Sequence, residues 1–199
     1  MKNKHSLVRL KYYCGLNCQT NLKGQSYTAL SKKMNYGRTV KFFGCQMKQG
    51  MDAFTVYQVF SGIELYYNDM HMGYCNQNQA TVKNMIEINH CLIGRFECSF
   101  GENSCCYMAE GDLSISSMMK KKSNSCFPLN HYHGISIVIN LDELLPEIRQ
   151  IMELLNIDLH YIQKYICEGN RCCIMRANPS IEHIFSELYH VREKENQDT

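Results

Sequence analysis

No stretch of the chain approaches the roughly 18 uncharged apolar residues that a membrane-spanning helix needs. The N-terminal MKNKHSLVRLKYYCG has no apolar h-region and no small-residue cleavage site, so it does not read as a secretory leader. Neither sign of charge is in excess. Twenty-one Lys and Arg against 19 Asp and Glu leave a formal +2, which removes the electrostatic case for binding nucleic acid or a membrane surface. Internal repeats and low-complexity segments are absent. So are GxSxG, a phosphate-cradling glycine loop and HExxH, the motifs that would announce common hydrolytic or nucleotide chemistry. What is present is an ordinary globular composition over 199 residues, 45% apolar and 20% charged. That length suits one or two domains and a core that needs no covalent staples. The 12 cysteines would suggest a disulfide framework only in a secreted chain. The expectation is a cytoplasmic protein whose cysteines are mostly small core residues. Cys14 and Cys18 form a CxxxC without a second pair at a matching distance.

The texture changes twice. Residues 1–51 are polar and punctuated by Gly15, Gly24, Gly37, Gly44 and Gly50, which predicts an irregular arm with a few short strands, one of them at Thr39–Phe43. Residues 52–141 are rich in β-branched and aromatic residues. AFTVYQVF, GIELYYNDMHMGYC, MIEINHCL, RFECSF, CCYMAE, GDLSISSM and ISIVINL are separated by turn signals, with GENS as one hairpin turn. Seven or eight short strands without an intervening helix predict an antiparallel sandwich or barrel. Lys120–Lys122 reads as a solvated loop. Residues 142–199 switch to helical spacing. Leu141, Leu144, Leu145, Ile148, Ile151, Met152 and Leu155 form one stripe, with Asp142 as the expected N-cap. A second helix is expected from Asp158 to about Cys167. A third opens at Asn178-Pro179, with Ile181, Ile184, Phe185, Leu188 and Tyr189 as its stripe.

Two features offer chemistry. His131 and His133 form an HxH pair, which on a strand puts both rings on one face. A mononuclear metal site would need further ligands from neighbouring strands, such as His71, His90 or Glu87. Glu87 lies inside the apolar run MIEINH, where an unpaired buried carboxylate would be costly. Period-2 alternation puts Glu87, Asn89 and Cys91 on one face and Ile86, Ile88 and His90 on the other. In GIELYYNDMHM, Tyr67, Asp69 and His71 share one face, while Glu64, Tyr66 and Asn68 share the other. Either row could be a solvated outer face or the lining of a polar pocket.

The order of EINHCLIG, AEGDLSI and FPLNHYHGISIVI resembles the cupin sensor domain of AraC-type transcription regulators, over roughly residues 52–191. The resemblance implies a reverse turn at Gly94 and a mostly β fold, a cupin-like antiparallel barrel or jelly roll followed by a small helical dimerisation region. It implies a non-enzymatic, effector-binding and dimerising domain whose partner is a small organic molecule. The alternative is a small metal-dependent cupin enzyme, an isomerase or dioxygenase. Because the cupin glutamate faces inward, the expected ligand residues are Glu87, Asn89, Tyr67 and His71. His133 joins them if the loop after Pro128 folds over the mouth. The third helix is expected to contribute Ile181, Ile184, Phe185 and Leu188 to a homodimer interface. Metal-binding cupins carry an HxH shortly before the glutamate. Here QATVKNM stands in its place, so neither a metal nor another cofactor is expected. No helix-turn-helix or basic recognition helix is visible, so DNA contact is expected only through a further module that this chain does not contain.

Overall fold

A computed structural model describes residues 27–33, 39–47, 50–78, 84–99, 105–117, 122–167 and 172–197. Cys14, Cys18 and the GENS turn lie outside the described residues. Among the described residues eleven strands are followed, and in part interrupted, by helices. They are β1 (Tyr27–Lys33), β2 (Thr39–Met47), β3 (Gly50–Phe60), β4 (Ile63–Met70), β5 (Tyr74–Asn78), β6 (Met85–Ser99), β7 (Cys105–Ala109), β8 (Asp112–Ser117), β9 (Lys122–Cys126), β10 (Tyr132–Asn140) and β11 (Cys172–Arg176). The helices are α1 (Pro146–Leu154), α2 (Leu159–Tyr161, continued by a π-helical turn, Ile162–Ile166) and α3 (Pro179–Gln197). No helix among the described residues is long and apolar enough to cross a membrane.

All described strand pairs are antiparallel. One sheet runs β1-β2-β3-β4-β10-β6-β8-β11, and the far half of β6 forms a second with β7, β9 and β5. Two facing antiparallel sheets followed by a small helical region are the cupin-like jelly roll expected from the sequence. The strand at Thr39–Phe43 falls within β2, which pairs with β1 and β3. Among the described residues no helix separates the strands β3 to β10, as the turn spacing predicts; MIEINHCL and RFECSF are one strand, β6, and Lys122, expected in a solvated loop, opens β9.

One apolar cluster lies between the sheets. It includes Val56, Tyr66, Met70, Met85, Cys91, Met108, Phe127, Tyr132 and Val138. Two others lie on the outer face of the large sheet. Leu65, Tyr67, Leu113 and Ile135 meet Phe185, Ile181 and Leu188 of α3. Ile86, Ile139, Leu141 and Leu144 meet Ile148, Leu159 and Ile162 of the α1–α2 region. The helices therefore cover the barrel's outside, and the period-2 strands bury both faces.

Several local expectations are corrected. Gly94 is not a reverse turn. It sits within the 15-residue β6 at φ +100°, and a Cβ there would stand 2.2 Å from the His131 carbonyl oxygen. Only glycine lets the strand bend so close to its neighbour and pass from one sheet to the other. Asp142 does not cap α1. It accepts from Asn84 Nδ2 at 2.9 Å, and the helix begins at Pro146 with no side-chain cap. Proline pushes the residue before it out of the helical region, and Leu145 is extended at ψ 143°. Strand β11, between the second and third helices, was not anticipated, because CCIMR is too short to show a period. The other two caps are as expected. Asp158 accepts from the Tyr161 amide at 2.9 Å, and Asn178 from the Ile181 amide at 3.0 Å.

Candidate functional site

Directly opposed residues of antiparallel strands share a face, so the registers can be read as rows across the large sheet. Glu64 opposes Val138, Val138 opposes Glu87, and Glu87 opposes Ser116. In the next row, Tyr66 opposes Ser136, then Asn89, then Ser114. In a third, Asn68 opposes Gly134, then Cys91. Tyr66, Val138 and Cys91 belong to the cluster between the sheets, so all three rows face inward. The barrel's inner wall thus carries two carboxylates, two amides and three serines.

These groups are deeply placed. Glu64, Tyr66, Asn68, Asn89, Ser114 and Ser136 are buried, and Glu87 is half-buried. Burial without partners would be destabilising, and a network satisfies much of it. Tyr66 donates to Glu64 Oε2 at 2.7 Å, Asn68 Nδ2 donates to Ser136 Oγ at 3.1 Å, and Tyr132 donates to Asn89 Oδ1 at 2.9 Å. Asn89 Nδ2 donates to Met108 Sδ at 3.9 Å, a weak acceptor. Burial holds the Tyr132 phenol well above its ordinary pKa. Cys91 and Glu87 push the same way against the Asn89 bond, so Tyr132 is a neutral donor.

The predicted ligand residues separate into three places. Glu87 and Asn89 lie together on the inner wall. Tyr67 does not join them. It faces outward beside Ile135 and donates to the Leu188 carbonyl of α3 at 2.7 Å. The reason is the alternation itself, because the residue of β4 in the same inward-facing row as Asn89 is Tyr66. His71 and His133 lie at the rim, on the outer side. The sequence reading placed Glu64, Tyr66 and Asn68 in one row without identifying it as the inner one, and it overlooked Ser136 and Tyr132. The polar Ser136 inside ISIVIN was the available signal.

On the outer face, α3 is anchored rather than free. Phe185 is buried and stacks on His90, with ring centroids 4.4 Å apart and planes 10° from parallel. Ile181 and Leu188 pack beside it, and of the four residues expected in a dimer interface only Ile184 is exposed, at 59%. Burial lowers the His90 pKa, with Arg176 adding to the effect and Glu182 and Asp112 opposing it. Neither His90 ring nitrogen has a hydrogen-bond partner among the described residues. His90 lines a cleft of about 410 Å³ between the barrel and α3, together with Arg176, Glu182 and Tyr189.

The rim holds a histidine group. His71 follows β4, His131 precedes β10, and His133 is in β10 opposite Asp69. The Nδ1 atoms of His71 and His131 are 3.3 Å apart. Asp69 Oδ1 is 2.9 Å from His71 Nε2 and 2.7 Å from His133 Nε2. No described histidine stands on the inner wall beside Glu87, so a metal held there on the pattern of metal-binding cupins has no imidazole donors among the described residues.

No protein-family model and no curated protein sequence matches the chain. Among solved structures it is similar to the EutQ protein of Clostridium difficile (14% identity, TM-score 0.35, covering 46% of this chain and 66% of that one). It is similar to an HTH_3 family transcriptional regulator from Vibrio cholerae (16% identity, TM-score 0.33, 43% of this chain and 50% of that one). It is also similar to the AraC-like transcriptional activator CuxR (9% identity, TM-score 0.35, 83% of this chain and 52% of that one). The matches span between half and two thirds of those chains.

Proposed function

We propose that this chain is the effector-binding part of an AraC-type transcription regulator, acting by binding a small polar organic molecule rather than by turnover. One observation carries the reading. The inner wall of the barrel presents Glu64, Glu87, Asn68 and Asn89, and the residues next in sequence to this polar wall grip α3 on the outside. Tyr66 faces in while Tyr67 bonds Leu188, and Asn89 faces in while His90 stacks on Phe185. A ligand that draws β4 or β6 inward therefore shifts the seat of the helix directly. It needs only a different affinity for the docked and shifted arrangements. Carboxylates and amides suit a ligand with several hydroxyl or amine donors.

The proposal includes a homodimer and moves its surface. Ile181, Phe185 and Leu188 are committed to the barrel, whereas Ile151, Leu154, Leu155, Tyr161 and Tyr165 of the α1–α2 region are each at least 50% exposed. An apolar patch of this kind is a subunit contact waiting for its partner. DNA contact would belong to a separate module.

The test is a thermal-shift screen of sugars, amino acids and bile acids, followed by calorimetry of the hits. An effector at a hundred times its Kd should add about 2.7 kcal/mol of stability. Its affinity should fall at least about tenfold in Glu87→Gln and Asn89→Ala proteins that keep their fold. An effector whose Kd is unchanged in both variants would overturn the barrel assignment. Sedimentation of Leu154→Glu protein tests the dimer surface, and a dimer that survives it would place the contact elsewhere.

A further inference from the structure

We propose that His71, His131 and His133 bind a divalent transition-metal ion at the outer rim of the barrel, oriented by Asp69. The site is separate from the inner wall and does not depend on the effector reading. No HxH precedes Glu87, so the inner wall lacks the histidines of a metal-binding cupin. The fold supplies a different donor set, because the β4–β10 register places Asp69 opposite His133 and carries His71 to the HxH pair.

The geometry fits an ion. One ligand atom from each of the three histidines lies within 4.8 Å of the others. Metal–nitrogen bonds of about 2.0–2.1 Å at a tetrahedral angle put neighbouring donors roughly 3.3–3.4 Å apart. The Nδ1 atoms of His71 and His131 are 3.3 Å apart, and the His133 ring centroid is 4.4 Å from that of His131. Asp69 Oδ1 stands 2.9 Å from His71 Nε2, on the side of the ring away from the Nδ1 that meets His131. A carboxylate behind a ligating imidazole sets its tautomer and raises its basicity. It also supplies negative charge beside the cation.

Three imidazoles select zinc, copper, nickel or cobalt over calcium and magnesium, which take oxygen donors. The side chains of His71 and His133 are 45% and 31% exposed, so an ion can enter and leave without unfolding, and its fourth position faces water. That is the arrangement of an exchangeable or ligand-accepting site rather than a closed structural one.

The experiment titrates tag-free, chelator-treated protein with Co²⁺ and Zn²⁺, following the cobalt absorption spectrum and calorimetric stoichiometry, with circular dichroism as a check on folding. One equivalent should bind with the visible bands of a nitrogen- and oxygen-ligated cobalt and without the near-ultraviolet sulfur charge-transfer band that cysteine ligation would give. His71→Ala, His131→Ala and His133→Ala should each abolish the one-equivalent step. Asp69→Asn, which keeps the shape of the side chain, should weaken it about 10- to 100-fold. His160→Ala, on α2, should leave it unchanged. Absence of a one-equivalent step, a sulfur band, or binding that survives His131→Ala in folded protein would each overturn the proposal.

Discussion

Replacing Phe185 by alanine should free α3 from the barrel while leaving the barrel folded. The side chain is 4% exposed, lies 4.4 Å from His90 in a parallel stack, and sits among Leu65, Tyr67, Leu113 and Ile135. Truncating a buried phenylalanine costs about 3–5 kcal/mol, of which an aromatic stack accounts for roughly 0.5–1.5 kcal/mol. The lower end applies here, because half-buried Ile181, Leu188 and Tyr189 can settle toward the vacated space. About 3 kcal/mol corresponds to roughly 140-fold in the docking equilibrium. Most of that loss should fall on docking. The strands beneath are held by their own ladder, whereas α3 is seated by side-chain packing and by the Tyr67–Leu188 bond. Native-state hydrogen exchange reads this directly. Amides of α3 around Phe185 should lose about two orders of magnitude of protection, and those of Ile135–Val138 in β10 should keep theirs. Equal loss in both segments would show that helix and barrel are one cooperative unit and would refute the reasoning. Unchanged protection in α3 would refute it as well.

Acidification should loosen the same seam. The folded-state pKa of His90 is lowered, mainly by burial, from an ordinary value of 6.5, so below that value an undocked His90 takes up a proton that the docked one refuses. The stabilisation is therefore present above pH 6.5 and is lost as pH falls toward the depressed folded value. α3 protection should decline between about pH 7.5 and pH 5.5, and a His90→Phe protein showing the same decline would contradict the assignment. Gly94→Ala should destabilise by about 3 kcal/mol or more, because it combines a positive φ with backbone overlap. A wild-type urea midpoint for that variant would disprove the close approach. Cys91 is fully buried, and burial, with Asp112 and Glu110 adding, raises its thiol to about 12, whereas Cys105 is exposed. Iodoacetamide near neutral pH should label Cys105 and spare Cys91 in native protein. Comparable labelling of the two would mean that β6 opens readily.

Alternation and turn chemistry made much of the barrel legible. The strands β3, β4, β6, β7, β8 and β10, the caps at Asp158 and Asn178 and the shared row of Glu87 and Asn89 follow from local pattern, whereas the polar YCNQN of β5 and KSNSC of β9 carry no apolar alternation and read as loop. What local pattern cannot supply is which row of β4 faces inward. Tyr66 and Tyr67 are chemically alike, and the choice is made by tertiary packing, which seats Tyr67 under α3. The same holds for His71. Its pairing with the HxH residues depends on β4 lying beside β10, a pairing 60 residues apart in sequence. The stripe on α3 was visible as a stripe, but its periodicity does not reveal whether it meets the barrel or a second subunit.

The bend at Gly94 has a consequence for how the molecule comes apart. Because β6 continues through it, one strand hydrogen-bonds to β10 and β8 in the large sheet and to β9 and β7 in the other. Neither sheet can melt without stripping partners from a strand that the other requires. The barrel should therefore unfold in a single transition, with no half-open state in which one sheet survives. Separable fluctuation is left to the elements held by side chains alone. In such a molecule the rigid and adjustable parts are divided by the kind of bond that holds them, ladder against side chain, and regulation is free to act on the second without spending the stability of the first.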